Sequence, residues 1–289
     1  MRVVLCALAK NENIYINEWC HYYLNMGFSH LYIYDNNDFS SPYVGDFIDK
    51  DILDKITIFD LREQKGEKLQ ADVYSRFYNE YNNSFDWCAF FDVDEFLDLN
   101  KEFKTIQEFL GQEKFEKFNQ IRIKWRVFDD NDIIERNENT SVVKTFKRLA
   151  TKGLNNNEAK SIIRGVKTKI TMPNENYASN LNSCLPSGKA LQKIVYGYSI
   201  SEETYKFETI FLNHYKTKSL SEFLKYKFFA GNKISKGTNP SSMKYYWEIN
   251  NITKEKIKYL KEKYPEIDLE TSHNINWNLK RFKGNKENE

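Results

Sequence analysis

Two aspartates and a glutamate follow directly on the apolar run Trp87–Phe91: Asp92, Asp94 and Glu95. Residues two apart at the end of a strand lie near one point where the backbone leaves the sheet. Carboxylates crowded against an apolar strand repel one another, which costs several kcal/mol unless positive charge compensates them. Aspartate oxygens suit Mg²⁺ or Mn²⁺, ions that proteins usually hold through one or two carboxylates and substrate phosphates. The pattern therefore indicates either a divalent-metal site or an acidic turn after a buried strand.

The segments before this motif alternate between apolar strands and helices. Strands are predicted at Val3–Ala9, His30–Tyr34, Ile56–Phe59 and Trp87–Phe91, and helices at Ile14–Met26, Val44–Lys50 and Glu67–Asn82. We expect Asn13 to cap the first helix and Gly27 to end it. The alternation predicts an α/β protein with a Rossmann-like, doubly wound, mostly parallel sheet.

Polar clusters follow three of the predicted strands, and ligands of such sheets bind beyond the carboxyl ends of the strands. The clusters are Lys10, Asn11 and Glu12 after the first strand, Asp35 and Asn36 after the second, and Asp92 and Asp94 after the fourth. Each alone is compatible with an ordinary polar loop. Three clusters on one rim of the sheet predict a ligand site.

The second half of the chain begins with a predicted strand at Gln120–Phe128, which runs into the acidic segment Asp129–Asp132. From Ser219 onward the pattern is helical and rich in lysine. Those lysines are explained either as a solvated face over an apolar core or as a membrane-surface or partner face. We expect a first domain at residues 1–218 and a helical C-terminal region at 219–289.

The overall charge is close to balanced, with 43 Lys and Arg against 41 Asp and Glu and a formal net charge of +2. This balance gives no electrostatic basis for a nucleic-acid partner. The four cysteines show no C-x-x-C spacing, and we expect reduced, mostly buried thiols. No apolar run has the length of a signal or membrane-spanning segment, so a cytoplasmic protein is expected, with peripheral contact at the inner face of the membrane.

Several segments, taken in order, resemble glycosyltransferase family 92 and related family 2-like bacterial enzymes. They are Ala9-Lys10-Asn11-Glu12-Asn13, Glu18-Trp19, Gly27-Phe28, Tyr34-Asp35-Asn36, Phe91-Asp92-Val93-Asp94-Glu95-Phe96, Lys160-Ser161-Ile162-Ile163-Arg164 and Asn213-His214-Tyr215 with Lys218. The set is specific as a constellation, although each motif alone is weak. The resemblance implies the GT-A fold, a nucleotide-sugar donor, and Mn²⁺ or Mg²⁺ at the Asp-x-Asp motif.

The resemblance also implies roles for single residues. Asp94 is expected to ligate the ion directly, Asp92 to bind ribose or the ion through water, and His214 to supply a further ligand, although a lone histidine is more often structural. The remaining residues are expected to contact the donor: Lys10, Asn11, Glu12, Asp35 and Asn36 at the nucleobase and ribose, and Lys218 or Lys160 at the diphosphate, with Gln70 and Arg62 in the same cleft.

The expected reaction displaces a nucleoside diphosphate, UDP above all, from the anomeric carbon by an acceptor hydroxyl. If the reaction inverts configuration, a carboxylate must take the hydroxyl proton. Asp130, with Asp129 as its neighbour, is the candidate base, and Glu95 is the reserve; an acidic turn explains the Asp129–Asp132 segment equally well. The expected acceptor is a glycan or lipid-linked glycan of bacterial surface polysaccharide.

Two other classes of protein remain compatible with an Asp-x-Asp motif after a strand. A haloacid-dehalogenase-like phosphatase carries such a motif, but normally after the first strand and with Thr or Val where this chain has Phe96. The other class is a non-catalytic nucleotide-binding protein of transferase fold. Only the presence of Asp92, Asp94 and His214 argues against it.

Overall fold

A computed structural model describes residues 1–66, 68–151, 158–166, 181–191, 205–230, 242–265 and 267. The chain divides into two compact units. The first comprises Met1–Arg126 and Asn155–His214, and the second comprises Val127–Leu154 and Tyr215–Glu289. The segment Val127–Leu154 thus groups with the C-terminal region. The domain boundary expected after residue 218 stays a prediction.

The first unit is built on a mixed sheet. Its strands are β1 (Val3–Ala9), β2 (His30–Asp35), β3 (Ile56–Asp60), β4 (Trp87–Phe90), β5 (Glu95–Asp98), β6 (Gln120–Val127), β7 (Ala159–Arg164), β8 (Ser183–Cys184) and β9 (Phe211–His214). Their order is β3-β2-β1-β4-β7-β6-β9-β5, with β8 beside β6. Strands β1 to β4 pair in parallel, whereas β7 is antiparallel to β4 and β6, and β5 is antiparallel to β9. The predicted α/β class is confirmed.

Helices fill the connections between the parallel strands. Helix α1 (Asn13–Asn25) follows β1, and α2 (Leu69–Tyr81) follows β3. The aromatic side of α2, with Tyr74 and Phe77, packs on the sheet face that carries Val4 and Cys6. The opposite face of β1 is equally buried, so both faces of the strand are covered, as in a sheet with helices on two sides.

Two local predictions change in the structure. Asn13 is the first residue of α1 rather than its cap, and Glu12 holds the cap position. Asn13 has other partners, because its Nδ2 donates to the Pro42 carbonyl and its Oδ1 accepts from Asn37 Nδ2. The helix expected at Val44–Lys50 is instead two 3₁₀ helices, Val44–Phe47 and Lys50–Lys55. Gly27 does follow α1, at φ +101°. Residue 67, where the second helix was expected to begin, lies outside the described residues.

Short helices form the second unit. They are α4 (Val142–Thr145), α5 (Leu220–Phe223), a π-helical turn at Leu224–Phe228, α6 (Met243–Ile249) and α7 (Lys254–Lys263); α3 (Ile106–Leu110) belongs to the first unit. Ser219 and Glu222 form a capping box at the start of α5. Glu222 also pairs with Arg136 at 2.5 Å, with both side chains buried.

Two predictions from composition concern the cysteines and membrane-spanning helices. All four cysteines are free and buried, which confirms the expected thiols. Across the described part of the chain, no helix combines the length and the apolar character needed to cross a bilayer.

Candidate functional site

The Asp-x-Asp motif occupies the tight connection between β4 and β5. The backbone of this turn is fixed from α1, because the Trp19 indole N–H donates to the carbonyl oxygens of Asp92 at 3.1 Å and Glu95 at 3.2 Å. The Glu95 side chain closes the turn by accepting from the Asp92 backbone N–H at 2.8 Å. Tyr23 OH also donates to the Glu95 carbonyl. A helix packed beneath the motif therefore sets the directions of its carboxylates.

Strand β9 brings His214 to this turn. Glu95 and His214 are register partners in the antiparallel pair of β5 and β9. His214 Nε2 lies 3.2 Å from Asp94 Oδ1, and its Nδ1 lies 3.7 Å from Glu95 Oε1. The Trp125 ring meets the imidazole edge-on with centroids 4.5 Å apart. The structure thus places the two residues expected as direct metal ligands side by side.

Asp92 has different neighbours. Its Oδ2 accepts from Lys160 Nζ at 2.8 Å, and its Oδ1 accepts from Gln70 Nε2 at 2.7 Å. Burial by itself lowers the pKa of Lys160, but the Asp92 and Glu95 carboxylates outweigh it and hold that pKa above its usual value. Gln70 and Lys160, both expected at the donor, here contact the first aspartate of the motif.

Glu95 is the most buried carboxyl of the group, with no exposed surface. Burial raises its pKa well above the ordinary value, against the opposing effect of the Lys160 ammonium, and Asp92 and Asp94 raise it further. Its Oε1 accepts no hydrogen bond from the described residues and lies 3.8 Å from Lys160 Nζ. Glu95 therefore acts in the structure as an internal support of the turn.

Asp94 and His214 fit a divalent ion. Two atoms bound at adjacent octahedral positions, each about 2.1 Å from the ion, lie roughly 3 Å apart, and the separation of Asp94 Oδ1 and His214 Nε2 is 3.2 Å. One carboxylate and one imidazole suit Mn²⁺, which accepts both oxygen and nitrogen ligands. Among the described residues, no third histidine, cysteine or carboxylate completes a group of three with Asp94 and His214. The group of three that the described residues do form, His21, Asp49 and Asp51, lies at the surface, where acidic groups are common without an ion.

The polar cluster after β2 is largely engaged within its own loop. Asp35 is fully buried and accepts from the Asn37 backbone N–H, Asn37 Nδ2 and the Val44 N–H. Asn36 Nδ2 donates to the carbonyls of Leu61 and Gln64. These side chains hold the shape of the loop, and their contact with a donor stays a prediction.

The cluster after β1 adjoins the same loop. The Asn11 N–H donates to Asn37 Oδ1 at 2.8 Å, with Asn11 in the left-handed region at φ 59°. Lys10 Nζ lies 3.9 Å from Asp38 Oδ1. Glu12 holds the cap position of α1. The first two polar clusters therefore meet each other at the ends of β1 and β2.

The residues expected as base lie in the second unit. Asp129 pairs with Arg148 at 2.6 Å, and the fully buried Asp130 pairs with Lys256 at 2.5 Å and accepts from Tyr246 OH. Burial raises the pKa of Asp130, while the Lys256 ammonium opposes that rise. Lys218 belongs to the same unit and is buried, at φ 53°. The catalytic assignment of Asp130 stays a prediction, and its described contacts are structural.

Sequence reasoning gave no role to two tryptophans that shape this site. Trp19 anchors the motif's backbone, and Trp125 packs against both His214 and Lys160, whose Nζ lies 5.7 Å from its ring centroid. The sequence placed Trp19 within the predicted helix Ile14–Met26 but did not indicate its contact with the motif. Nothing local in the sequence pairs Trp125 with residues far along the chain.

The chain matches the family model of glycosyltransferase family 92 over residues 2–280. Because the match covers nearly the whole chain, the protein belongs to glycosyltransferase family 92, and the expected resemblance is confirmed. It is a glycosyltransferase, an enzyme that takes a sugar from a donor to an acceptor. This assignment favours the transferase over the phosphatase and the non-catalytic binding protein. In a comparison with curated proteins, none matches this chain.

Proposed function

We propose that this enzyme is a metal-dependent glycosyltransferase of GT-A fold that moves a sugar from a UDP-sugar to a hydroxyl of a glycan or lipid-linked glycan. The observation that carries the proposal is the 3.2 Å approach of Asp94 Oδ1 and His214 Nε2, delivered by the β4–β5 turn and by β9. Two ligand atoms at this spacing offer adjacent positions to one Mn²⁺ or Mg²⁺ ion.

The sheet supports this proposal. The parallel order β3-β2-β1-β4 is that of a nucleotide-binding half-sheet, in which ligands bind beyond the carboxyl ends of the strands. The motif follows β4 at that end. The polar residues of the β1 and β2 ends, Asn11 and Asp35 among them, line the same edge of the sheet.

The chemistry follows from these positions. A divalent ion bound to Asp94 and His214 would neutralise charge on the diphosphate as the glycosidic bond breaks. The acceptor hydroxyl attacks the anomeric carbon and gives its proton to a carboxylate, with inversion of configuration. Asp130, which belongs to the second unit, remains the proposed base; its carboxylate is buried and pairs with the Lys256 ammonium at 2.5 Å.

The setting we propose is the cytoplasmic face of a bacterial membrane, in the synthesis of surface polysaccharide. The support is the lysine- and aromatic-rich C-terminal region, where Phe229 is 48% exposed. A peripheral protein with such a surface contacts anionic lipid through basic and aromatic side chains together.

The test is a thermal-unfolding matrix with UDP, Mn²⁺ and both together. We expect the pair to raise Tm by clearly more than the sum of the single additions, because ion and diphosphate complete one another's coordination. Asp94→Ala should abolish the excess, whereas Asp54→Ala, at an exposed position outside the site, should retain it. Additive shifts of Tm in the unmodified protein would contradict the metal site. In a separate experiment, mass spectrometry of turnover with a panel of UDP-sugars would identify the donor.

A further inference from the structure

The first aspartate of the motif has a protein donor at each of its carboxylate oxygens. Asp92 Oδ2 accepts from Lys160 Nζ at 2.8 Å, and Oδ1 accepts from Gln70 Nε2 at 2.7 Å and lies 3.5 Å from Tyr74 OH. Both oxygens thus have a donor or cation within reach. Asp94, two residues on, instead faces His214. The two aspartates of one motif therefore have distinct electrostatic environments.

Lys160 is buried between two partners in this position. Its side chain is 9% exposed, and it extends from β7 between the Asp92 carboxylate and the face of Trp125. The same indole packs against the His214 ring. Because a buried ammonium that loses its carboxylate partner is left uncompensated, separating Lys160 from Asp92 without a replacement charge is unfavourable.

We propose that Lys160 is a positioning residue that keeps Asp92 out of the ion's coordination sphere and so limits the metal affinity of the site. This inference rests on the proposed function. The Asp92 oxygens do not form a group of three ligand atoms with Asp94 and His214 in the structure. The Lys160 ammonium and the Gln70 amide hold them instead, and the positive charge of the ammonium repels an ion at the neighbouring carboxylate. The ion then has few protein ligands, so tight binding awaits the diphosphate of the donor.

A purely supporting role for Lys160 predicts the opposite effect of its removal. If the lysine only stabilised the turn, Lys160→Met would loosen the site and weaken Mn²⁺ binding. If it withholds Asp92, the same substitution frees a carboxylate and removes a like charge. Mn²⁺ binding to the nucleotide-free protein should then become about tenfold tighter, since affinity for such ions follows the number of charged ligands.

The experiment measures Mn²⁺ binding without nucleotide, from the electron paramagnetic resonance signal of the free ion. Lys160→Met should lower Kd about tenfold, and Lys160→Arg, which keeps the charge, should stay within about threefold of the unmodified protein. Adding Asp92→Asn to Lys160→Met should reverse the gain, because the freed carboxylate is then gone. Weaker or unchanged binding by a folded Lys160→Met variant would overturn the proposal.

The double variant is the second test if Lys160→Met alone fails to fold, because it leaves no charge at Asp92 without its partner. The buried Glu95 carboxylate, 3.8 Å from Lys160 Nζ, loses the ammonium in both variants, so the comparison between them isolates Asp92. Binding within about threefold of the unmodified protein supports the proposal, and a loss of more than about tenfold shows that Asp92 is a ligand and overturns it. Asp94→Asn separates the two proposals. If this variant binds Mn²⁺ as the unmodified protein does, the proposed metal site fails, whatever the Lys160 variants show.

Discussion

Replacing Lys256 by methionine should destabilise the protein by about 3 kcal/mol at neutral pH, because it strands a buried carboxylate. Lys256 and Asp130 have fully buried side chains whose charged atoms are 2.5 Å apart. Removing one partner of a buried pair costs about 3–5 kcal/mol. The lower end applies here because Asp130 keeps two donors, Tyr246 OH and the Asp132 N–H.

The other contacts of the Lys256 ammonium add little to this loss. Its distance to Asp132 Oδ1 is 3.4 Å, and Asp132 is partly exposed and already pairs with Arg148. Exposed pairs of this kind contribute about 0–1 kcal/mol. Nζ also donates to the Asn251 carbonyl at 2.9 Å, one hydrogen bond of about 1 kcal/mol that water can replace in part.

The loss should depend on pH with a defined sign. Burial raises the pKa of Asp130 even though the Lys256 ammonium lowers it. Removing that ammonium in Lys256→Met should therefore raise the folded-state pKa of Asp130 further. A carboxyl with a raised folded-state pKa contributes stability that is present below its unfolded-state pKa and lost as pH rises through the folded-state value. The difference between variant and unmodified protein should therefore be small near pH 4 and fully developed near pH 8.

Urea denaturation followed by circular dichroism measures this difference. Lys258→Met is the matched control, since Lys258 lies on the same helix with its side chain 75% exposed, and it should change stability by less than about 0.5 kcal/mol. A Lys256→Met deficit below about 1 kcal/mol at pH 8, or a deficit equal at pH 5 and pH 8, would refute the reasoning.

Other predictions address separate parts of the molecule. His214→Ala should weaken Mn²⁺ and UDP binding together in calorimetric titrations, because one imidazole completes a site that both occupy; loss of one without the other would contradict this. Asp132→Asn should cost stability above about pH 4 and nothing below the lowered pKa that Arg148 gives the Asp132 carboxyl, and parallel melts across pH check it. Gly165→Ala should cost about 1–3 kcal/mol in urea denaturation, because the new Cβ would lie 2.3 Å from the Phe85 carbonyl oxygen. The protein should float with anionic liposomes at low salt, and a protein that stays at the bottom of the gradient would exclude peripheral attachment.

The parallel half of the sheet could be predicted because its signals are local. The strand at Val3–Ala9 was placed with its observed bounds from an apolar run bounded by polar residues, and the run ending before Asp92 was placed within one residue. Such runs have few alternatives in an α/β protein. The sequence likewise placed the carboxylates after Phe91 at the end of this strand.

The partners of those carboxylates were harder to predict because they arrive from distant strands. The structure pairs Lys160 with Asp92 and buries Asp130 against Lys256, and neither pairing was predicted; the expected contact of Lys160 with a diphosphate stays a prediction. Each pairing depends on which strands or helices become neighbours, and no local periodicity encodes that choice. The prediction that Asn13 caps the first helix was wrong for a similar reason, because the Asn13 side chain bonds to Asn37, a residue outside the helix.

The pairing of β5 with β9 has a consequence for how this enzyme can diversify. Glu95 and His214 face each other across one backbone ladder, so the spacing of Asp94 and His214 is inherited from strand register rather than from the path of the chain between them. Loops inserted or trimmed in that long intervening stretch leave the ladder unchanged. Insertions and deletions in the loops of that stretch can therefore accumulate without separating the two residues, while a slip of the strand pairing by one residue would replace His214 with Asn213 or Tyr215 and abolish the proposed site in a single step.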